Sequence, residues 1–228
     1  MKRAFLSLLF LPALLAAKPK QPQEQVWMDA SLARAGGLQK FDRLETFSCR
    51  FEETVRTSSG TATRRGRWTL RFGAGKTLRL REDVDGGAAT VVLSTSADGA
   101  RSRELLREVF WTFAPQWVRA QERPLRMLSN GFLSHRLLER VAVEGAPFFP
   151  AGDPLIFYVN AQDGLIAGAA SGPAAEPVSF HNFETTQGFL TLPSVRVYYD
   201  GAGKQARVVK VSDVVVNAFV DDKLFSQE

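Results

Sequence analysis

The sequence contains one cysteine, Cys49, so no disulfide can form within the chain. Two histidines, His135 and His181, are too few for a multi-histidine metal site. There is no Gly-x-Ser-x-Gly elbow, no phosphate loop ending in Lys-Ser/Thr, and no Gly-x-Gly-x-x-Gly after a strand. A hydrolase needs a nucleophile, a base and an orienting acid, and neither histidine sits in such a setting. Neither catalysis nor a cofactor is therefore expected. No Pro/Ser-rich linker or internal repeat divides the chain. Charge of one sign is scarce as well: 29 Lys+Arg stand against 24 Asp+Glu. That surplus argues against nucleic acid as a partner.

Only one run is long and apolar, and it lies at the start. Lys2 and Arg3 precede an apolar stretch from Ala4 to Ala17, followed by the polar Lys18-Pro19-Lys20-Gln21-Pro22. This order reads as a cleaved secretory signal peptide over residues 1–17. The stretch is shorter than the roughly 18–20 residues a membrane-spanning helix needs. An uncleaved anchor is the alternative, but the segment lacks the polar face of an interfacial helix. No cysteine stands at the cleavage point, so a soluble, unlipidated product is expected. Loss of Lys2 and Arg3 leaves 27 basic against 24 acidic residues, a surplus of three.

The whole sequence is 45% hydrophobic, with 17 Phe and 4 Trp, and beyond the leader its apolar residues fall in two periodicities. Gln25 to Ala35 reads as a helix ended by Gly36-Gly37, with a further turn or two through Leu38, Phe41 and Leu44. The period then falls to two. Phe47, Cys49, Phe51 and Val55 share a face of Thr46–Val55. Trp68, Leu70 and Phe72 do so in Arg65–Phe72, and Leu78 and Leu80 in Thr77–Glu82. With Ala88–Thr95 and its turn Ala97-Asp98-Gly99, these form an antiparallel meander with one dry face.

A helical block is expected next, over about 104–145. Leu105, Leu106, Val109, Phe110 and Phe113 form a stripe limited by Pro115. Leu125–Leu128 and Leu133–Val141 read as helices separated by Asn130-Gly131. Strands resume at Pro154–Asn160, Val178–Glu184, Ser194–Asp200 and Arg207–Val216, with Gly168–Pro177 as a small-residue loop. Val195, Val197 and Tyr199 share one face of their strand. The expected fold class is α+β: residues 18–228 form one domain, a strongly curved antiparallel sheet with helices covering its concave face.

Such a shell either fills with its own side chains or keeps a hollow. An apolar hollow binds acyl chains because each buried CH₂ contributes about 0.8 kcal/mol. The candidate lining residues are Phe47, Phe51, Trp68, Leu70, Phe72, Leu78, Leu80, Phe110, Trp111, Phe113 and Trp117. Aromatic residues at such spacings also make ordinary core. Cys49 reads as a small buried hydrophobe. Asp221-Asp222 is too thin a set for Ca²⁺. Arg64, Arg65 and Arg67 read as a solvated edge that discourages strand pairing, or as a contact for anionic lipid headgroups.

Three stretches carry a family resemblance: Leu44-Glu45-Thr46-Phe47-Ser48-Cys49-Arg50-Phe51-Glu52, Gly66-Arg67-Trp68-Thr69-Leu70, and Val214-Val215-Val216-Asn217 followed by Asp221-Asp222-Lys223-Leu224-Phe225. With Gly188-Phe189-Leu190-Thr191-Leu192-Pro193 and the order of elements, the sequence resembles the LolA/LolB-like superfamily of bacterial lipoprotein carriers. The resemblance spans most of residues 25–226. It implies an unclosed β-barrel with a helical lid and a cavity for the acyl chains of lipoproteins or another lipid. It also implies a soluble periplasmic carrier or chaperone, acting as a monomer in outer-membrane biogenesis. An inner-membrane transporter and an outer-membrane acceptor would be its partners. The insert at roughly 104–150 and the segment Pro147–Pro154 depart from the family pattern. Arg50, Arg67 and Arg71 are candidates for a lid-locking arginine. A lipid- or lipoprotein-sensing module and an envelope scaffold with a filled core are the alternative functions.

Overall fold

A computed structural model describes residues 21–74, 77–95, 99–145, 154–172 and 175–226. The signal-like residues 1–17, most of the turn at 97–99 and most of the segment 147–154 lie outside the described residues.

Among the described residues, eleven strands form one antiparallel sheet in the order β4-β3-β2-β1-β11-β10-β9-β8-β7-β6-β5. The first four are β1 (Thr46–Thr57), β2 (Gly60–Phe72), β3 (Leu78–Val84) and β4 (Thr90–Leu93). The others are β5 (Leu125–Leu133), β6 (Arg136–Val143), β7 (Leu155–Val159), β8 (Ile166–Ser171), β9 (Val178–Thr186), β10 (Leu190–Tyr199) and β11 (Gln205–Val216). Every neighbour but one is also a neighbour in sequence. The exception is the central seam, where β1 pairs with β11 from Phe47↔Val216 to Val55↔Arg207. Strands β4 and β5 are the two unpaired edges, so the barrel stays open. The chain travels between those edges through α3 (Ala100–Thr112) and α4 (Ala114–Ala120), which lie across the concave face beside α1 (Gln23–Arg34) and α2 (Gly37–Asp42).

Alternation builds the first half of the sheet as the spacing predicts. Phe47, Cys49 and Phe51 on β1, Trp68, Leu70 and Phe72 on β2, and Leu78 and Leu80 on β3 are all buried in one core with the helices. Gly66 is required on β2. A side chain there would meet the Asp83 carbonyl oxygen at 2.0 Å and the Phe51 ring at 2.9 Å, well inside contact distance. Gly36 turns the chain from α1 into α2 with φ of 104°, a left-handed conformation that glycine alone adopts freely. Helix α1 turns Trp27, Met28 and Ser31 inward and leaves Val26 exposed.

The expected helical block is only half helical. Helix ends at Ala120, and residues 125–143 form the β5–β6 hairpin instead. Both faces of these strands are apolar. Val141 and Val143 join the concave core, whereas Leu128, Leu133 and Leu138 join Ile156 and Tyr158 in a second cluster on the other face. Two overlapping period-two patterns imitate a helical stripe. Asn130-Gly131 is no chain break but an irregularity within β5, and the turn is Ser134-His135. Both of its residues take positive φ, 49° and 65°, the left-handed pair a two-residue hairpin needs.

The expected loop at 168–177 begins inside a strand too. β8 is buried between β7 and β9. At Gly168 a side chain would meet the Val178 carbonyl oxygen at 2.3 Å and Leu133 at 2.6 Å. Small residues here let the second cluster close over the strand.

Candidate functional site

Three zones succeed one another beneath the helices. The first is solid. Phe41 of α2, Phe47, Phe72, Phe113 and Trp117 of α4 pack with ring centroids 5.2–6.0 Å apart. Leu70, Leu78, Leu80 and Phe110 are buried around them, each 1% exposed or less. These residues pack this end of the shell with their own side chains.

The second zone is ionic. Helix α3 carries Arg101, Glu104 and Glu108 on the face toward the sheet. Glu53 of β1, Arg64 of β2, Glu82 of β3, Arg196 of β10 and Arg207 of β11 face them. Four carboxylates and four guanidinium groups balance. At the centre, Arg196 Nε lies 2.9 Å from Glu108 Oε2, with the two side chains 0% and 2% exposed. Arg196 Nη1 donates to Thr112 Oγ1 at 3.0 Å. Arg207 lies within 3.0 Å of both Glu104 and Glu108 and also pairs with Glu53. Arg64 joins Glu53 to Glu82, Arg101 reaches Glu82, and the Tyr198 hydroxyl donates to Glu108. A column of rings links this network to the solid core. Arg64 lies over Phe51, Phe51 stacks on Trp68 at 4.8 Å, and Arg196 lies 5.8 Å from the Trp68 ring.

The electrostatics follow from burial against neighbours. Burial raises the Glu53 carboxyl, but Arg207 and Arg64 outweigh it and hold the group below the ordinary glutamate range. Burial lowers Arg207, but Glu108, Tyr198 and Glu53 outweigh it and hold its proton more firmly. Burial, with Glu108 beside it, pushes the Tyr198 hydroxyl well above its usual value. The charge set latches α3 to β3, β10 and β11, and through Glu82 and Arg207 it extends to Arg64 of β2 and Glu53 of β1.

The third zone is hollow. An apolar cavity of about 290 Å³ lies between α1, the junction of α3 and α4, and β8–β10. Ala35, Trp111, Pro115, Ile166, Phe180, Phe183 and Pro193 supply most of its wall, and Ser31, Arg34, Thr112 and Thr191 its polar points. Arg34 stands at the rim with its guanidinium 3.5 Å from Asp163. A wider, more polar groove of about 660 Å³ runs on the other side of Trp111, beneath the first turns of α3.

Of the eleven candidate lining residues, Trp111 alone lines this cavity. Phe47, Phe51, Trp68, Leu70, Phe72, Leu78, Leu80, Phe110, Phe113 and Trp117 belong to the packed core. Alternation finds the dry face of a strand but not which part of that face a helix covers. Phe180 carried a signal, since Val178 and Phe180 share the dry face of β9; the contributions of α1 carried none.

Neither Arg50, Arg67 nor Arg71 reaches the helices. Arg50 pairs with Asp213, Arg67 donates to Ser48, and Arg71 pairs with Asp222. An arginine that does tie α3 to the sheet is Arg196. It was hidden because Val195, Val197 and Tyr199 look like the inward face of β10, whereas Arg196 and Tyr198 point to α3. Arg64 likewise turns inward from a strand that is no edge, while Arg65 pairs with Glu52 outside.

The remaining candidates have structural surroundings. His181 is exposed, with Nε2 2.8 Å from Ser179 Oγ, and His135 forms the β5–β6 turn. Asp221 caps the closing 3₁₀ turn through the Lys223 amide. Among the described residues no group of three or more metal-ligating side chains occurs, and no helix is long and apolar enough to cross a membrane.

An unclosed single-sheet shell, roofed by helices and retaining a small apolar cavity, defines a class of fold known from solved structures. A domain from Vibrio parahaemolyticus described as an outer membrane lipoprotein-sorting protein domain superposes at TM-score 0.56 with 10% identity, covering 87% of this chain and 97% of that one. A DUF1329 family protein from Desulfovibrio piger superposes at TM-score 0.59 with 11% identity, covering 90% and 97%. A LolA superfamily protein from Nitrosomonas europaea aligns over 90% and 97% at TM-score 0.48 with 11% identity. The fold is therefore the one shared with the Vibrio parahaemolyticus and Desulfovibrio piger structures. No family model matches the sequence, and no curated protein matches it.

Proposed function

We propose that the chain is a lipid-binding carrier of the bacterial envelope that holds an acyl chain in the cavity beside Trp111. The observation that carries this is the cavity itself, about 290 Å³ and mostly apolar, beneath helices in a LolA-like shell. Transfer follows from displacement of the helices, a population shift that bound lipid biases. The cargo class is the acyl chain of a lipoprotein or of another lipid, taken from an inner-membrane transporter and given to an outer-membrane acceptor. The signal-like residues 1–17 support action in the periplasm, and the proposed carrier is a monomer without enzymatic activity. Titration with a fluorescent fatty acid tests the reading. Saturable binding at one site per chain is expected, and its absence from the folded protein refutes it.

A second reading, an envelope scaffold, is favoured by one observation: ten of the eleven candidate residues fill the shell. Mass spectrometry of the natively purified protein separates the two. Copurifying lipid supports the carrier, and clean protein supports the scaffold.

A further inference from the structure

Trp111 has a hollow on each side. It lines the apolar cavity together with Thr112, and it lines the polar groove together with Arg107 and Glu108. The sheet beneath repeats the division. Phe180 belongs to the cavity and Val178, two residues earlier on the same face of β9, belongs to the groove. The indole and the Phe180 ring meet with centroids 6.0 Å apart, and Trp111 is 5% exposed. One side chain thus stands between two spaces that a single chain of carbons would otherwise join.

The size of the apolar side sets what it can hold. An engineered apolar cavity of about 150 Å³ takes one benzene ring, six carbons. A space of about 290 Å³ therefore accommodates about ten to twelve carbons. That is one short chain or the end of one longer chain, and it excludes two or three chains side by side. The rim offers one charge of each sign, the half-exposed Arg34 and Asp163.

Resting on the lipid-binding reading above, we propose that the cavity is a single-chain site for which Trp111 is the end stop. The ligand class is an amphiphile whose one tail enters for about ten to twelve carbons, its head remaining at the Arg34–Asp163 rim. The indole sets tail length by closing the way into the groove. Removing it joins the two spaces and lengthens the tail the protein takes.

The test uses alkylphosphocholines of 8 to 16 carbons, each below its micelle concentration, titrated by calorimetry into the full protein. These probes carry both charges in the head and one tail. In the unaltered protein, each added methylene up to about ten to twelve carbons tightens binding about fourfold, after which affinity levels off. Trp111→Ala moves the plateau out towards the longest probes, because it joins the cavity to the groove of about 660 Å³. Trp111→Leu, which keeps an apolar group and is less disruptive to folding, moves it in the same direction by less. Thermal unfolding and circular dichroism verify that each variant is folded. Affinity that keeps rising to 16 carbons in the unaltered protein overturns the end stop, whatever the variants do. So does a plateau that folded Trp111→Leu leaves in place. Both leave lipid binding standing, whereas no binding at any length removes the carrier reading itself.

Discussion

Replacing Arg196 by Met probes the ionic zone at its most buried point. Arg196 has no exposed side-chain surface, and its partner Glu108 has 2%. Removing one member of such a pair costs about 3–5 kcal/mol, mainly because the other charge is left buried and uncompensated. The surroundings decide which end of the range applies. After Arg196→Met, Glu108 keeps Arg207 at 3.0 Å and the Tyr198 hydroxyl, so the cost falls near about 3 kcal/mol. Glu108→Gln leaves two arginines short of a carboxylate and falls near about 5 kcal/mol. The double substitution leaves less charge unpaired than the two single ones taken together, and a coupling of about 2 kcal/mol is expected. Urea denaturation at equilibrium measures all three. With a slope of about 3 kcal/mol per molar, Arg196→Met lowers the midpoint by about 1 M. Amide exchange adds the location, because α3 should lose protection before β1 and β2 do. A loss under about 1 kcal/mol for Arg196→Met, or strictly additive effects, refutes the latch.

Acid should act on the same network. The folded-state value of Glu53 is depressed, so its stabilisation is complete above the ordinary glutamate value of 4.5 and is lost as pH falls through the folded value. The denaturation midpoint should hold from pH 7 to 5 and drop below about 4.5, and Glu53→Gln should flatten that drop; equal acid sensitivity in both proteins contradicts the assignment. Cys49 gives an independent check on the core. Burial pushes its thiol up to about 12, only partly offset by Arg196 and Arg67, so the native protein should resist a disulfide-exchange reagent at pH 8 and react once denatured. Reaction of the native protein at the rate of a free thiol speaks against a closed shell at β1.

Much of the architecture could be read from periodicity. Strands β1 to β3 have one dry and one wet face, so Phe47, Phe51, Trp68 and Leu70 declared their side of the sheet. Regularity failed where a strand was buried twice. The β5–β6 hairpin carries apolar groups for two clusters, and its Leu133, Leu137 and Val141 fall at helical intervals as a result. β8 is so crowded that only Gly, Ala and Ser fit through much of its length, a composition that reads as loop. The cavity was legible as a probability of hollow space but not as a position. Its walls come from three helices and three strands joined only by the fold, and most of the large rings on β1 to β3 are spent on packing. Arg196 was concealed by a simple rule, that valines face inward. On β10 the charge network needed the inward positions, and the valines took the other side.

The pairing of β1 with β11 also governs when this protein can exist. Phe47 must find Val216, a partner from nearly the opposite end of the described chain. Until β11 is available, two half-sheets stand with bare edges, and Glu53, Glu104 and Glu108 lack the Arg207 that neutralises them. Closing so long a loop comes late and slowly. The newly made polypeptide therefore stays unfinished until β11 emerges, and that strand, acting as a keystone, commits both halves at once.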